Sequence, residues 1–147
     1  MSLSLLLLLL FFPALDGARA EEPTEIAAIE GDPEAYHLRQ VTLHGRVHDL
    51  QLLDPYYQPS GVACTGAYLF TLEDETGFLQ VAVLGVCGIP VFRPPEVREG
   101  DTITLQAVIH APGRFGYSYS LEGLRHPGSS SAPLHAVAKE IRKSNDP

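Results

Sequence analysis

The side chains able to do chemistry in this chain are its histidines, a run of acids, two cysteines and a set of aromatics, and spacing limits each group. His44 and His48 lie in VTLHGRVHDLQLL (41–53). In a strand they share a side, but at ~3.3 Å per residue they stand about 13 Å apart. A zinc ion holds imidazole nitrogens at about 2.0–2.1 Å. His37, His110, His126 and His135 are scattered along the chain, so no metal site is expected. Glu73, Asp74 and Glu75 precede Thr76 and Gly77. Consecutive residues at a hairpin tip point in different directions, and Asp and Gly are turn formers, so this run reads as a turn. Calcium loops space their ligands differently. No Ser-His-Asp motif, phosphate loop or dinucleotide fingerprint is present. Arg39, Arg46, Arg93, Arg98, Arg114 and Arg125 form no motif that would complete a nuclease centre. The expectation is a non-enzymatic protein without a cofactor.

The cysteines must be positioned by the most regular passage, YLFTLEDETGFLQVAVLG (68–85), two alternating runs around the acidic turn. A turn over Asp74 to Gly77 sets Glu73 against Phe78, Leu72 against Leu79, Phe70 against Val81 and Tyr68 against Val83. The last three pairs are apolar, as an inward face requires, and a slip of one residue would mix the faces. The same register, extended outward, brings Cys64 opposite Cys87 on the core side, unless a bulge near Gly66 or Gly85 interrupts it. In an exported chain this favours a disulfide, whose short loop stabilises by about 3 kcal/mol. Two buried free thiols and a redox pair are the alternatives. The redox reading lacks a C-x-x-C and an adjacent helix N-terminus to lower a thiol pKa.

The 147 residues suffice for one domain and a tail. Residues 1–20 read as a signal peptide: an apolar run from Leu3 to Phe12 is too short to span a bilayer, and Ala18-Arg19-Ala20 resembles a cleavage site. A short membrane anchor is the alternative. With cleavage, no stable anchor remains and the protein is exported, periplasmic or secreted. The net charge is −8, with six acids and no Lys or Arg between Glu21 and Leu38. Such a balance disfavours general affinity for nucleic acids or anionic membranes.

Four regions follow from composition. Residues 21–40 form an acidic segment in which Thr24 can cap a short helix carrying Ile26 and Ile29, stopped by Gly31-Asp32-Pro33. Residues 41–125 are strand-rich. Gly45, mid-strand, signals a bulge or sharp coil. A long loop runs from Asp54 to Thr65, REGDTITLQAVIH (98–110) is a fourth strand, and GRFGYSYSLEGL (113–124) leads into a fifth. Residues 126–147 comprise a linker, HPGSSSA (126–132), and a short amphipathic helix in which Leu134, Val137 and Ile141 recur at helical spacing.

HGRV (44–47), YLFTLEDETGFLQVAV (68–83), EGDTITLQAVI (99–109) and YSYSLEGL (117–124) together resemble the recurring phrases of the OB-fold, in particular the tRNA anticodon-binding type. The exported, acidic, single-domain form is also similar in type to small bacterial periplasmic OB proteins. The resemblance covers about Gln40 to Arg125 and implies an all-β, five-stranded Greek-key barrel, here with short N- and C-terminal helices. The helix usual between strands three and four has little room beside Gly88, Pro90, Pro94 and Pro95, so a loop or single turn is expected to plug the barrel.

OB proteins bind over strands two and three and the flanking loops. The resemblance therefore implies a ligand face of Leu69, Thr71, Phe78 and Gln80, with Tyr56 and Tyr57 in one loop and Arg114, Phe115 and Tyr117 in the other. Against this, Tyr117 and Tyr119 can share the inward side of strand five, and Tyr56 and Tyr57 can simply pack their loop. The implied function is binding of a peptide, a protein or a small polar ligand. Single-stranded nucleic acid is the alternative, favoured by the fold and opposed by the charge. Partner recruitment by strand addition is a third reading.

Overall fold

The computed structural model describes residues 22–89, 93–113, 117–119, 125–127 and 133–144; the signal-peptide reading therefore lies outside the described residues. Two short helices, α1 (Ile26–Gly31) and α2 (Pro33–Tyr36), precede the strands. These are β1 (Gln40–Leu52), β2 (Tyr56–Tyr57), β3 (Ala63–Thr65), β4 (Tyr68–Glu73), β5 (Phe78–Val83), β6 (Val86–Cys87), β7 (Thr102–His110), β8 (Tyr117–Tyr119), β9 (Arg125–Pro127) and β10 (His135–Lys143). A closed barrel runs in the order β1-β4-β5-β10-β7, antiparallel except where β10 lies parallel to β5. This is the five-stranded OB barrel.

Gly45 explains how one strand serves two neighbours. β1 pairs with β7 from Gln40 to Arg46 and with β4 from Arg46 onward, so Arg46 faces both Thr102 and Glu73. At this crossing a Cβ on Gly45 would press into the Glu73 carbonyl, 2.9 Å from its carbon. A bulge follows between His48 and Gln51. Asp49 there has φ 52°, and the Glu99 carboxylate accepts the N–H groups of Asp49 and Leu50, each at 3.1 Å.

Period-two alternation builds the core. Ile103, Leu105, Ala107 and Ile109 of β7 are buried with Phe70, Leu72, Leu79 and Val81 of the hairpin. The hairpin register is the one its sequence predicts, from Tyr68–Val83 to Glu73–Phe78. Ile26 and Ile29 of α1 belong to this same core, beside the hairpin turn, where Ile26 approaches Gly77. A loop contributes Val97, with the Glu96 N–H donating to the Tyr68 hydroxyl at 3.3 Å. The segment before β7 thus contributes to the core, as α1 does.

The acidic turn has a structural task, and it corrects the capping role read for Thr24. Asp74 Oδ2 accepts the Ile26 N–H at 2.8 Å and Thr76 Oγ1 accepts the Ala27 N–H at 3.0 Å, so the hairpin tip caps α1 from across the chain. The Thr24 N–H instead donates to the Thr42 carbonyl at 2.7 Å. Partial burial works against the Asp74 charge. Hydrogen bonds from the Thr76 hydroxyl and from the N–H groups of Ile26, Thr76 and Gly77 outweigh it and hold the carboxyl below its usual range. Asp74→Ala should cost about 1 kcal/mol, the scale of a lost cap, measured by denaturant unfolding at neutral pH. A depressed carboxylate contributes stability above its unfolded pKa of 3.8 and loses it as pH falls through the lower folded value. The difference between wild type and Asp74→Ala should therefore shrink below about pH 4.

The C-terminal helix and the fifth strand need correction. Residues 135–143 form β10, which closes the barrel against β7 and β5. GYSYSLEGL instead supplies β8, paired with β9 in a separate two-stranded ladder between β7 and β10. The barrel thus extends to Lys143 rather than ending at Arg125, and the first two residues of the expected linker, His126 and Pro127, belong to strand β9 (Arg125–Pro127). The helical spacing mixed the two sides of a bulged strand, with Val137 opposite Val108 on the outer side. Ala136 and Ala138 face Ile109 and Ala107, the register then shifts, and Ile141 faces Leu105. One extra residue at Lys139 changes the parity of the inward positions, which interrupts the period-two pattern. Ala, Lys, Glu and Arg are also good helix formers, here overridden by pairing with β7 along the strand and with β5 at its start. At the end of β10, Lys143 Nζ lies 2.8 Å from Asp101 Oδ2.

Candidate ligand-binding face

Cys64 and Cys87 form a disulfide, in the predicted register with Thr65 opposite Val86. Its side of the sheet differs from the expectation. Cys64 is fully buried in a second cluster with Leu53, Tyr56, Ala67, Leu69 and Ala82, and Cys87 packs against it. Leu69 and Ala82 belong to the outward side of the hairpin. The chain interrupts β-structure at Gly66-Ala67 and at Leu84-Gly85, and Gly66 has φ 79°. These breaks turn the cysteines to the outer face while the pairing resumes unchanged.

The loop expected between Asp54 and Thr65 therefore carries β2 and β3, which join β6 in a three-stranded sheet. That sheet, fastened by the disulfide, covers one end of the hairpin's outer face. Leu69 and Tyr56 are 4% and 6% exposed. They are packing residues and do not present surface to a ligand. Tyr57 and Phe78 are exposed, at 65% and 60%. Thr71 and Gln80 are half-buried. Arg114 and Phe115 lie outside the described residues, and Tyr117 sits on the backbone of β8.

What stays open on the outer face is organised by register. His48 on β1 pairs with Thr71 on β4, Thr71 with Gln80 on β5, and Gln80 with His135 on β10. His135 in turn pairs with His110 on β7. At about 4.7–4.9 Å between strands, the half-exposed part from His48 to Gln80 is a polar strip two strand spacings wide. The covered residues Leu69 and Ala82 bound it on one side. Arg46, Glu73 and Phe78, also in cross-strand register, bound it on the other.

His48 is the most interconnected member of the strip. Its Nε2 is 2.6 Å from Glu73 Oε2 and its Nδ1 is 3.7 Å from Glu99 Oε1. The Glu73 contact is ionic when the ring is protonated. Next to the strip a shallow cleft of about 540 Å³ is lined by His44, Gly45, Arg46, Glu73, Asp74, Glu75 and Thr102. His44 Nδ1 lies 3.3 Å from the Thr104 hydroxyl. Among the described residues, no three or more His, Cys, Asp or Glu side chains are arranged to hold a metal ion.

Sequence spacing does not place the histidines. His48, whose spacing from His44 excludes a shared metal ion, has Thr71 as its register partner. The histidines called scattered also converge. His110 and His135 stack with ring centroids 5.0 Å apart, and His37 meets His110 edge-on at 6.2 Å. His110 and His135 are cross-strand partners of β7 and β10, and His37 lies between α2 and β1, so no short-range pattern relates them.

No family model matches the chain, and no curated protein matches it. Among solved structures it is similar to a protein assigned as an aspartyl-tRNA synthetase from Leishmania major Friedlin. The two share 13% identity with a TM-score of 0.49, over 90% of this chain and 23% of that chain. Strand order and barrel closure establish the fold itself: the chain is a five-stranded OB barrel with a disulfide-fastened sheet over part of its outer face.

Proposed function

We propose that this is an exported, non-enzymatic OB-fold binding module for a peptide, protein or small polar ligand. The observation that carries the reading is the strip His48–Thr71–Gln80, flanked by the exposed ring of Phe78. Thr and Gln offer both donors and acceptors, and an adjacent aromatic supplies apolar contact. The strip is bounded by the acids Glu73 and Glu99, and Arg46 has Glu73 opposite it in register. That surface suits neutral hydrogen-bonding ligands better than a phosphate backbone, which calls for clustered Lys and Arg. Export is supported by the disulfide, and among the described residues no helix is long and apolar enough to cross a membrane.

NMR shift mapping against peptide and oligosaccharide libraries tests the site. A true ligand should perturb the amides of Thr71, Phe78 and Gln80, and Thr71→Arg should weaken its binding at least tenfold. Unchanged affinity in Thr71→Arg and Gln80→Ala would remove the strip from the proposal. Binding of mixed-sequence oligonucleotides with a steep loss in salt would favour the nucleic-acid alternative instead.

A further inference from the structure

The geometry points to a carboxylate-binding subsite at Arg46, in the cleft beside the strip, that takes the charged end of an amino acid or short peptide. It deepens the binding reading and rests on it. The cleft lies where β1 crosses from β7 to β4. Arg46 stands at that crossing, in register with Thr102 on one side and with Glu73 on the other. Phe78 continues the same row on β5, opposite Glu73.

The register would pair Arg46 with Glu73, but the Glu73 carboxylate is turned to His48, with Oε2 2.6 Å from Nε2. Arg46 is exposed, and among the described residues it has neither an ion-pair nor a hydrogen-bond partner. The neighbouring cations of β10 are engaged. Lys143 Nζ lies 2.8 Å from Asp101 Oδ2, and Arg142 Nε lies 3.3 Å from Glu140 Oε1. An unpaired guanidinium fork matches a planar carboxylate, which it can meet with two parallel hydrogen bonds. Thr102 lines the same cleft and brings a hydroxyl donor.

The acids of the cleft decide which anion fits. Glu73, Asp74 and Glu75 all line it. Asp74 is committed, because its oxygens accept the N–H groups of Ile26, Thr76 and Gly77. Glu75 is exposed and, like Arg46, has no partner among the described residues. Beside these carboxylates a phosphate dianion is repelled. A carboxylate carries one charge, and in an amino acid or peptide it comes with an ammonium or N–H group that Glu75 can accept. Such a ligand is neutral overall, as the adjoining strip favours. Strands stand about 4.7–4.9 Å apart, so Phe78 lies two spacings from Arg46. A side chain of the residue whose carboxylate Arg46 holds can reach the Phe78 ring, which is exposed.

NMR titration of the disulfide-bonded chain tests the subsite with four probes: glycylphenylalanine, its C-terminal amide, its N-acetyl form and free phenylalanine. The free-acid dipeptide should shift the amides of Gly45, Arg46, Glu75 and Thr102, and bind at least about tenfold more tightly than its amide. Arg46→Gln, at an exposed position, should erase that ratio. Arg46→Lys should restore only part of it, since it keeps the charge without the fork. Two patterns support the subsite and separate its ligands. Tolerance of acetylation marks a peptide C-terminus, whereas loss on acetylation with equal binding of free phenylalanine marks an amino acid. Equal affinity for acid and amide, an unchanged ratio in Arg46→Gln, stronger shifts with inorganic phosphate, or no shifts with any probe overturns the proposal. The acid-to-amide ratio reads the cleft and the loss in Thr71→Arg reads the strip, so either can fail alone.

Discussion

Replacing both Cys64 and Cys87 by alanine, or reducing the bridge, should lower the free energy of unfolding by about 3 kcal/mol. The bridged positions are 23 residues apart, and closing a loop of that size removes denatured-state entropy on this scale. The loss should also be local. The cluster around the bridge contains Leu53, Tyr56, Ala67, Leu69 and Ala82, whereas the barrel core is built from other residues. The reduced protein should therefore keep its barrel while the β2-β3-β6 sheet loosens and Leu69 and Ala82 gain solvent. Denaturant midpoints with and without reductant measure the first effect, and amide exchange at Leu69 and Ala82 the second. An unchanged midpoint would mean the sheet is held by packing alone.

Gly45→Ala should destabilise the fold by about 3 kcal/mol, the upper range for overpacking. The obstacle is the Glu73 carbonyl, which is backbone and cannot swing aside as a side chain would. Relief requires β1 to move off β4, which breaks the crossing where Arg46 serves both β4 and β7. Gly31→Ala is the control. It lies at the end of α1, where an added Cβ meets nothing within 4 Å, so it should be neutral or stabilising by under about 1 kcal/mol. Thermal unfolding of the two variants separates the cases. Equal melting temperatures would show that the crossing can relax.

Much of the barrel was legible because its signals are local. The alternation of 68–83 around an Asp-Gly turn defined a register that the structure reproduces pair by pair and that continues to the cysteines. Gly45 marked the coil of β1 because only a residue without a side chain fits between two strands there. The outer face was less legible. Leu69 and Ala82 looked like exposed positions of a hairpin, and nothing in their own strand says that a sheet from a distant loop lies over them. Thr71 and Gln80 kept their predicted side, but their neighbours His48 and His135 depend on pairings with β1 and β10.

The sequence alone determined the strand character of the hairpin, its turn, its register and the cysteine pairing, since these follow from period-two burial over a few residues. Tertiary structure alone decided three further features. It made 135–143 a strand, because helix-forming residues pair with β7 and, at the strand's start, with β5, and a bulge at Lys139 interrupts the alternation. It turned the acidic tip into the cap of α1, because unsatisfied helix N–H groups found Asp74 and Thr76 48 and 49 residues away. It also gathered His37, His110 and His135, because closing a barrel brings together strands that no short-range pattern relates.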